Sequence, residues 1–170
     1  FELVSSDAAE NSGTASINVS LNVPNGGTLA SPVSIDVVLS GAAFTATSGT
    51  DFNYTTTTLT FSTGSETQSV TVTISDDSDV EGSETVIFDL NNLQTGGQNV
   101  TLGTQTSHTL TLTDNDVISV AFVSGSTNVI EDTAGTVTVP VVLTVPGGGA
   151  LVNPVQFTVT IQGSSTATNP

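Results

Sequence analysis

A run of nine residues, Asp76–Glu84 (DDSDVEGSE), contains five of the chain's sixteen acidic side chains. The 170-residue chain has no lysine or arginine that could pair with them. Two carboxylates about 5 Å apart repel by ~3 kcal/mol at an effective dielectric constant of about 20, so the cluster requires protonation, separation in water, or a bound cation. The chain has no cysteine and one histidine, which leaves oxygen atoms as the main donors. These donors favour a hard cation, so Ca²⁺ is the candidate cofactor, and zinc and copper are disfavoured.

Further acidic residues lie at the ends of predicted strands. Glu10 precedes the first long strand, Asp51 follows the turn SGT, and Asp114 and Asp116 follow the last strand before the pattern restarts. Alternate loops of a β-sandwich gather at one end, so these segments can converge with Asp76–Glu84. A single acidic loop could equally be solvated surface, and it is the agreement of four segments that favours a cation site.

Apolar residues alternate with Ser, Thr and Asn at the period of a half-buried strand. In Ala15–Val23 the apolar side chains occupy every second position. The same alternation recurs in later segments, separated by turns rich in Gly, Ser and Asn: Val33–Leu39, Leu59–Phe61, Val70–Ile74, Val86–Leu90 and Leu110–Leu112. This pattern predicts an all-β fold, an immunoglobulin-like antiparallel β-sandwich of about seven strands.

The chain also contains an internal repeat. The segment Ala15–Gly41 aligns with Val137–Gly163 at a constant offset of 122 residues, and the turns at Pro24 and Pro146 coincide. The repeat predicts a complete sandwich over residues 1–116 and the N-terminal part of a second, truncated repeat over residues 117–170. The missing strands of the second repeat could follow in a longer array or come from another chain by strand exchange.

Composition excludes several classes of function. The net charge of −16 repels phosphate backbones and anionic lipid, so neither nucleic acid nor direct membrane insertion is expected. An enzyme is not expected, because the Ser and Thr hydroxyls have only His108 and no lysine to activate them, and the chain lacks tryptophan for stacking on sugar. The absence of cysteine is compatible with a bacterial secreted or cell-surface protein.

Several motifs, in order, resemble the Calx-beta domain. They are an early ENSGT, then SGTDF, then LTFSTGSETQSVTVTISDDSDVEGSETVIFDL, and finally a strand that ends in TDND. The resemblance covers Phe1–Asp116, and FVSGSTNVIEDTAGTVTVPVVL restarts the pattern. Calx-beta domains are immunoglobulin-like sandwiches that bind calcium, and they occur in sodium/calcium exchangers and as repeats in large cell-surface proteins.

The resemblance implies a set of calcium ligands by motif: Glu10, Asp51, Asp76, Asp77, Glu81, Glu84, Asp114 and Asp116. Asn115 and Ser78 stand where sensing members often have further aspartates, and Asp79 is an additional acid. Glu131 and Asp132 would begin a second site in the next repeat.

The function expected from these observations is that of a calcium-binding structural repeat in a large extracellular or cell-surface protein, such as an adhesin, stalk or surface filament. Calcium would rigidify the domain end and the joint between repeats, and the partners would be neighbouring repeats of the same chain. Two alternatives stay open: a calcium-sensing regulatory module, and a module that binds a glycan, a protein or another cell-surface ligand.

Overall fold

The computed structural model describes residues 1–129 and 136–160. Up to Thr113 the chain forms eight strands: β1 Ser5–Ala9, β2 Thr14–Leu21, β3 Val33–Leu39, β4 Phe52–Asn53, β5 Thr57–Phe61, β6 Glu66–Ile74, β7 Glu84–Gln94 and β8 Ser107–Thr113. The described residues include no α-helix, only single 3-10 turns at Glu10–Ser12, Pro24–Gly26 and Pro146–Gly148. The predicted all-β class is confirmed.

Two sheets make up the sandwich. One has the strand order β1-β8-β7-β3-β5, and the other has the order β2-β6-β4. The predicted antiparallel arrangement holds except between β1 and β8, which are parallel and place Ser5 opposite Thr109. Strand β1 pairs with β8 and not with β2, because the chain crosses to the other sheet at the Glu10–Ser12 turn, between β1 and β2.

The core lies between the sheets and is built from the alternating positions that the sequence marks as apolar. Val37, Phe52, Val72, Val86, Phe88 and Leu110 are fully buried. The Tyr54 ring packs edge-on against Phe88 with centroids 5.0 Å apart, and its hydroxyl donates to the Val37 carbonyl at 2.9 Å. An aromatic pair of this geometry stabilises the fold beyond its buried area.

The chain after Asp116 contains a smaller two-stranded sheet. Its strands, β9 Ser119–Phe122 and β10 Val141–Thr144, pair antiparallel. Phe157 and Val159 are 53% and 60% exposed, whereas their repeat counterparts, Ile35 and Val37, are 4% and 0% exposed. The described part of the second repeat therefore presents apolar positions that the first repeat buries.

One end of the sandwich gathers the loops that precede β2, β4 and β7 and the segment that follows β8. Backbone hydrogen bonds connect these loops: Ile74 N–H donates to the Gly13 carbonyl at 2.9 Å, and Ser75 N–H donates to the Asp51 carbonyl at 2.9 Å. We call this end of the sandwich the acid end. The turns at Pro24–Gly26 and residues 62–65 and 95–106 lie at the other end. The acid end is where the predicted site residues lie.

Candidate metal centre

Six of the eight predicted ligands form two groups at the acid end. The first group is Glu10, Asp114 and Asp116, and the second is Asp51, Glu81 and Glu84. In each group, one carboxylate oxygen of every residue lies within 4.8 Å of a carboxylate oxygen of the other two. Each group combines residues distant in sequence, which only the fold brings together. A separation of this size allows several carboxylates to share one cation.

The backbone holds Asp51 and Glu10 at the domain end. Asp51 N–H donates to the Thr47 carbonyl at 3.0 Å, and the Asp51 carboxylate accepts from the Thr47 N–H, which closes a tight turn before β4. Glu10 begins the 3-10 turn after β1 and is 7% exposed. The two acids are therefore positioned by the chain before any ion binds.

Asp114 connects the two remaining segments. Its Oδ2 accepts the Glu81 N–H at 2.7 Å, and its Oδ1 accepts the Asp116 N–H at 2.7 Å. The neighbouring Asn115 accepts the Asn11 N–H at 3.1 Å through its side-chain oxygen. The segment after β8 thus fixes both the acidic loop and the turn that carries Glu10.

The electrostatics of the cluster raise several pKa values. Burial, followed by the charges of Asp77, Asp114, Glu81 and Asp76, raises the pKa of Glu10 to about 7. Burial and then contact with Asp51 raise the pKa of Glu84 to about 7. The pKa values of Glu81 and Asp116 also rise, in both cases first from desolvation and then from neighbouring carboxylates. Every shift disfavours the charged form, as expected for carboxylates without a counter-charge.

The donor set fits a calcium ion. Among the described residues, Asp116 Oδ2 is a buried side-chain oxygen without a hydrogen-bond partner. A buried carboxylate oxygen normally has a donor or a cation as its partner, and no lysine or arginine is present in the chain to provide one. All side-chain donors are hard oxygens, which suits calcium. An ion bound in either group would offset part of the charge of its three carboxylates.

Three acidic residues of the Asp76–Glu84 loop belong to neither group. Asp76 and Asp77 lie outside both groups, although their charges act on Glu10. Asp79, which the sequence left unassigned, accepts the Ala150 N–H at 2.6 Å and so contacts the second repeat. No feature of the sequence pattern identifies this contact. Glu131 and Asp132, the expected start of a second site, lie outside the described residues.

His108 lies away from the acid end. It is 2% exposed in β8, with Nδ1 2.9 Å from the Leu3 carbonyl oxygen and Nε2 2.9 Å from Ser6 Oγ. Because a carbonyl only accepts, Nδ1 carries the proton in this contact. His108 therefore fastens the N-terminal segment to β8.

In the part of the chain that the structure describes, no helix has the length and apolar character needed to span a membrane.

The fold and the carboxylate groups define an all-β sandwich domain with a candidate cation site at one end. The family model of the Calx-beta domain matches residues 1–116 and again residues 113–169. The chain belongs to the Calx-beta family, whose domains bind Ca²⁺. Comparison with curated proteins gives no match.

Solved structures of similar fold agree with this family. The apo form of the Calx CBD1 domain is 25% identical, with a TM-score of 0.58, and the match covers 68% of this chain and 95% of that one. The calcium binding domain CBD12 of CALX1.1 is 24% identical, with a TM-score of 0.57 and coverage of 67% of this chain and 43% of that one. CBD12 from CALX1.2 gives 24% identity and a TM-score of 0.57, and covers 73% of this chain and 47% of that one. The chain therefore spans less than half of either CBD12 protein.

Proposed function

We propose that this chain is a calcium-binding structural segment of a large secreted or cell-surface protein, in which Calx-beta repeats follow one another. The observation that carries the proposal is the pair of carboxylate groups at one end of the sandwich, each within 4.8 Å, in a chain without lysine or arginine. Family membership and the calcium-binding domains of similar fold support the choice of ion. The eight predicted ligands remain the proposed set.

Calcium would act on the loops rather than on the core. Filling the two groups removes carboxylate repulsion worth several kcal/mol at close range, of the order that ~3 kcal/mol per 5 Å pair implies. The loops that contain Asp51, Glu81 and Asp116 are already connected by hydrogen bonds, so the ion adds rigidity to an existing arrangement. The short connection from Asp116 to β9 makes this end the joint with the following repeat.

The test is a calorimetric calcium titration of the full chain. We expect saturable binding that Glu84→Gln weakens at least about tenfold, because the substitution removes a charge from one group. Asp7→Asn is the matched control: Asp7 lies on β1, is exposed, and belongs to neither group. Equal affinity in the Glu84→Gln and Asp7→Asn variants would overturn the proposed site.

The calcium-sensing alternative has one structural observation in its favour. Asp79, within the acidic loop, contacts Ala150 of the second repeat, so a change in the loop can reach a neighbour. A sensor is expected to bind calcium near micromolar concentration, and a structural extracellular site near millimolar concentration. The same titration separates them, since we expect half-saturation between about 0.1 and 1 mM.

The ligand-binding alternative rests on the opposite end of the sandwich. A cavity of about 280 Å³ opens there between the sheets, lined by Leu21, Ile35, Phe61, Leu93 and Leu102 among others. Its lining also includes polar side chains and the rings of Phe1 and Phe61, but it contains no tryptophan or tyrosine, the rings best suited to stacking on a sugar. We therefore place the repeats of the same chain first among the partners, and a glycan array with a reproducible hit would reverse that order.

A further inference from the structure

A glycine-rich turn of the second repeat lies against the acidic loop of the first. Val80 N–H donates to the Ala150 carbonyl at 2.9 Å, and Val152 N–H donates to the Val80 carbonyl at 3.3 Å. Asp79 Oδ1 accepts the Ala150 N–H at 2.6 Å. Val80 and Leu151 form an isolated parallel bridge. Residues 78–80 and 146–152 therefore meet through the backbone, independently of any ion.

The approach is close enough to require glycine on the turn. A Cβ atom on Gly149 would overlap the Ser78 carbonyl oxygen and lie 2.9 Å from the Asp79 nitrogen. A Cβ atom on Gly147 would overlap Ser78 Oγ and lie 2.8 Å from Ser78 Cβ. Gly149 has φ −62° and ψ −179°, which any residue adopts. Glycine at 149 is thus needed for space and not for backbone conformation.

The first repeat contains the same turn without this contact. Pro24–Gly27 corresponds to Pro146–Gly149 at the offset of 122 residues. Gly27 has φ −64° and ψ 173°, and its N–H donates to the Pro24 carbonyl at 3.2 Å, as Gly149 N–H donates to Pro146 at 3.0 Å. At the position of Gly147 the first repeat has Asn25, with φ 56° in both turns. Asparagine therefore fits the backbone of the turn, and the two turns differ in the surface that they present.

We propose that the Pro146–Gly149 turn is a docking element for the Ser78–Val80 loop of the preceding repeat, and that the residue at position 147 decides which turn can dock. A turn with glycine at this position fits a loop that carries Ser78. A turn with asparagine, such as Pro24–Gly27, needs a loop with a smaller residue at the position of Ser78. The two turns are therefore not interchangeable, and these contacts determine which repeat can follow which. The inference concerns the joint and does not depend on calcium binding.

The first experiment measures amide hydrogen exchange by NMR in the full chain, with calcium and with chelator. In the unaltered protein Val80 and Val152 N–H should be protected. Gly149→Ala should raise both exchange rates about tenfold, which corresponds to the loss of about one net hydrogen bond. Gly27→Ala is the matched control, with the same backbone conformation and no acidic loop opposite. The Leu110 amide in the core reports that both variants are folded.

A second experiment tests the role of position 147. Gly147→Asn should raise exchange at Val80 and Val152, whereas Asn25→Gly should leave both rates unchanged. The effect of Gly147→Asn should be smaller in a Ser78→Gly background, because the overlapping atoms are gone. An equal effect in both backgrounds would overturn the assignment of specificity. Unprotected Val80 and Val152 amides, or equal losses in Gly149→Ala and Gly27→Ala, would overturn the docking itself. Because exchange is also measured in chelator, a loss of docking can be distinguished from a failure to bind calcium.

Discussion

Asp114 Oδ2 accepts the backbone N–H of Glu81 at 2.7 Å, across 33 residues of sequence. The contact joins the segment after β8 to the acidic loop before β7. The other oxygen of the same carboxylate accepts the Asp116 N–H at 2.7 Å. One side chain therefore holds a residue from each carboxylate group, and it does so as an acceptor for backbone donors as well as a candidate ligand.

This double role predicts a difference between two substitutions that remove the same charge. Asp114→Asn keeps one carbonyl oxygen as an acceptor, whereas Asp114→Ala leaves both N–H groups without this partner. In chelator, the free energy of unfolding of Asp114→Ala should lie ~1 kcal/mol below that of Asp114→Asn. Urea unfolding measures the difference, and equal stability would show that the hydrogen bonds do not hold the loops.

The raised pKa values predict how pH affects the calcium-free protein. Glu10 and Glu84 have pKa values of about 7, above the ordinary 4.5, so the folded state binds more protons than the unfolded state between these values. Proton binding by these two groups stabilises the folded state fully below about pH 4.5, and this stabilisation is lost as the pH rises through about 7. In chelator, the thermal midpoint should therefore fall between pH 5 and 8. With saturating calcium the midpoint should change little over the same range, because calcium displaces the protons and the carboxylates are then ionised in both the folded and the unfolded state. The calcium-induced rise in midpoint should therefore grow with pH. A rise in chelator would contradict the raised pKa values.

Neutralising Glu10 should have opposite effects in the two conditions. Glu10→Gln removes a buried charge that neighbouring carboxylates repel, so in chelator at pH 7.5 we expect stabilisation of ~1 kcal/mol, after allowance for solvent screening. The calcium-induced rise in thermal midpoint should shrink, because a charged donor is lost. Asp7→Asn should change neither value. A Glu10→Gln variant with an unchanged calcium response would remove Glu10 from the ligand set.

The two repeats predict unequal costs for equivalent core truncations. Ile35 is 4% exposed, and its counterpart Phe157 is 53% exposed. Ile35→Ala should destabilise the first repeat by about 2–5 kcal/mol, whereas Phe157→Ala in the same chain should cost under about 0.5 kcal/mol. Chemical unfolding followed by the near-ultraviolet signal of Tyr54 checks Ile35→Ala, and unfolding followed by far-ultraviolet circular dichroism, which also reports the second repeat, checks Phe157→Ala. A large loss from Phe157→Ala would mean that the second repeat buries this face in solution.

The apolar alternation predicts most of the sandwich, because every second side chain of a strand faces the core. Strands β3, β5, β6, β7 and β8 include the segments that the alternation marks, and β2 includes the first segment except its last two residues, Asn22 and Val23. Strand β1, Ser5–Ala9, escapes prediction because its sequence SSDAA has only small apolar residues, and strand β4 has only two residues. The parallel pairing of β1 with β8 depends on where the chain crosses between sheets, which alternation does not encode.

The candidate site shows a similar division. Motif positions indicate which acids lie at one end, but not that six of them separate into two groups. That grouping depends on loop conformations set by contacts such as Asp114 with Glu81. The contact of Asp79 with Ala150 depends on the next repeat, which local sequence cannot reveal.

The most direct test of the calcium site is the thermal midpoint of the full chain in calcium, in magnesium and in chelator. Calcium at 100 times its dissociation constant should stabilise the folded state by about 2.7 kcal/mol. We expect a rise of several degrees that magnesium does not reproduce, because magnesium demands a smaller octahedral site and gives up its water reluctantly. Equal midpoints in calcium and chelator would contradict the account, since the carboxylate groups would then bind no ion in the folded state.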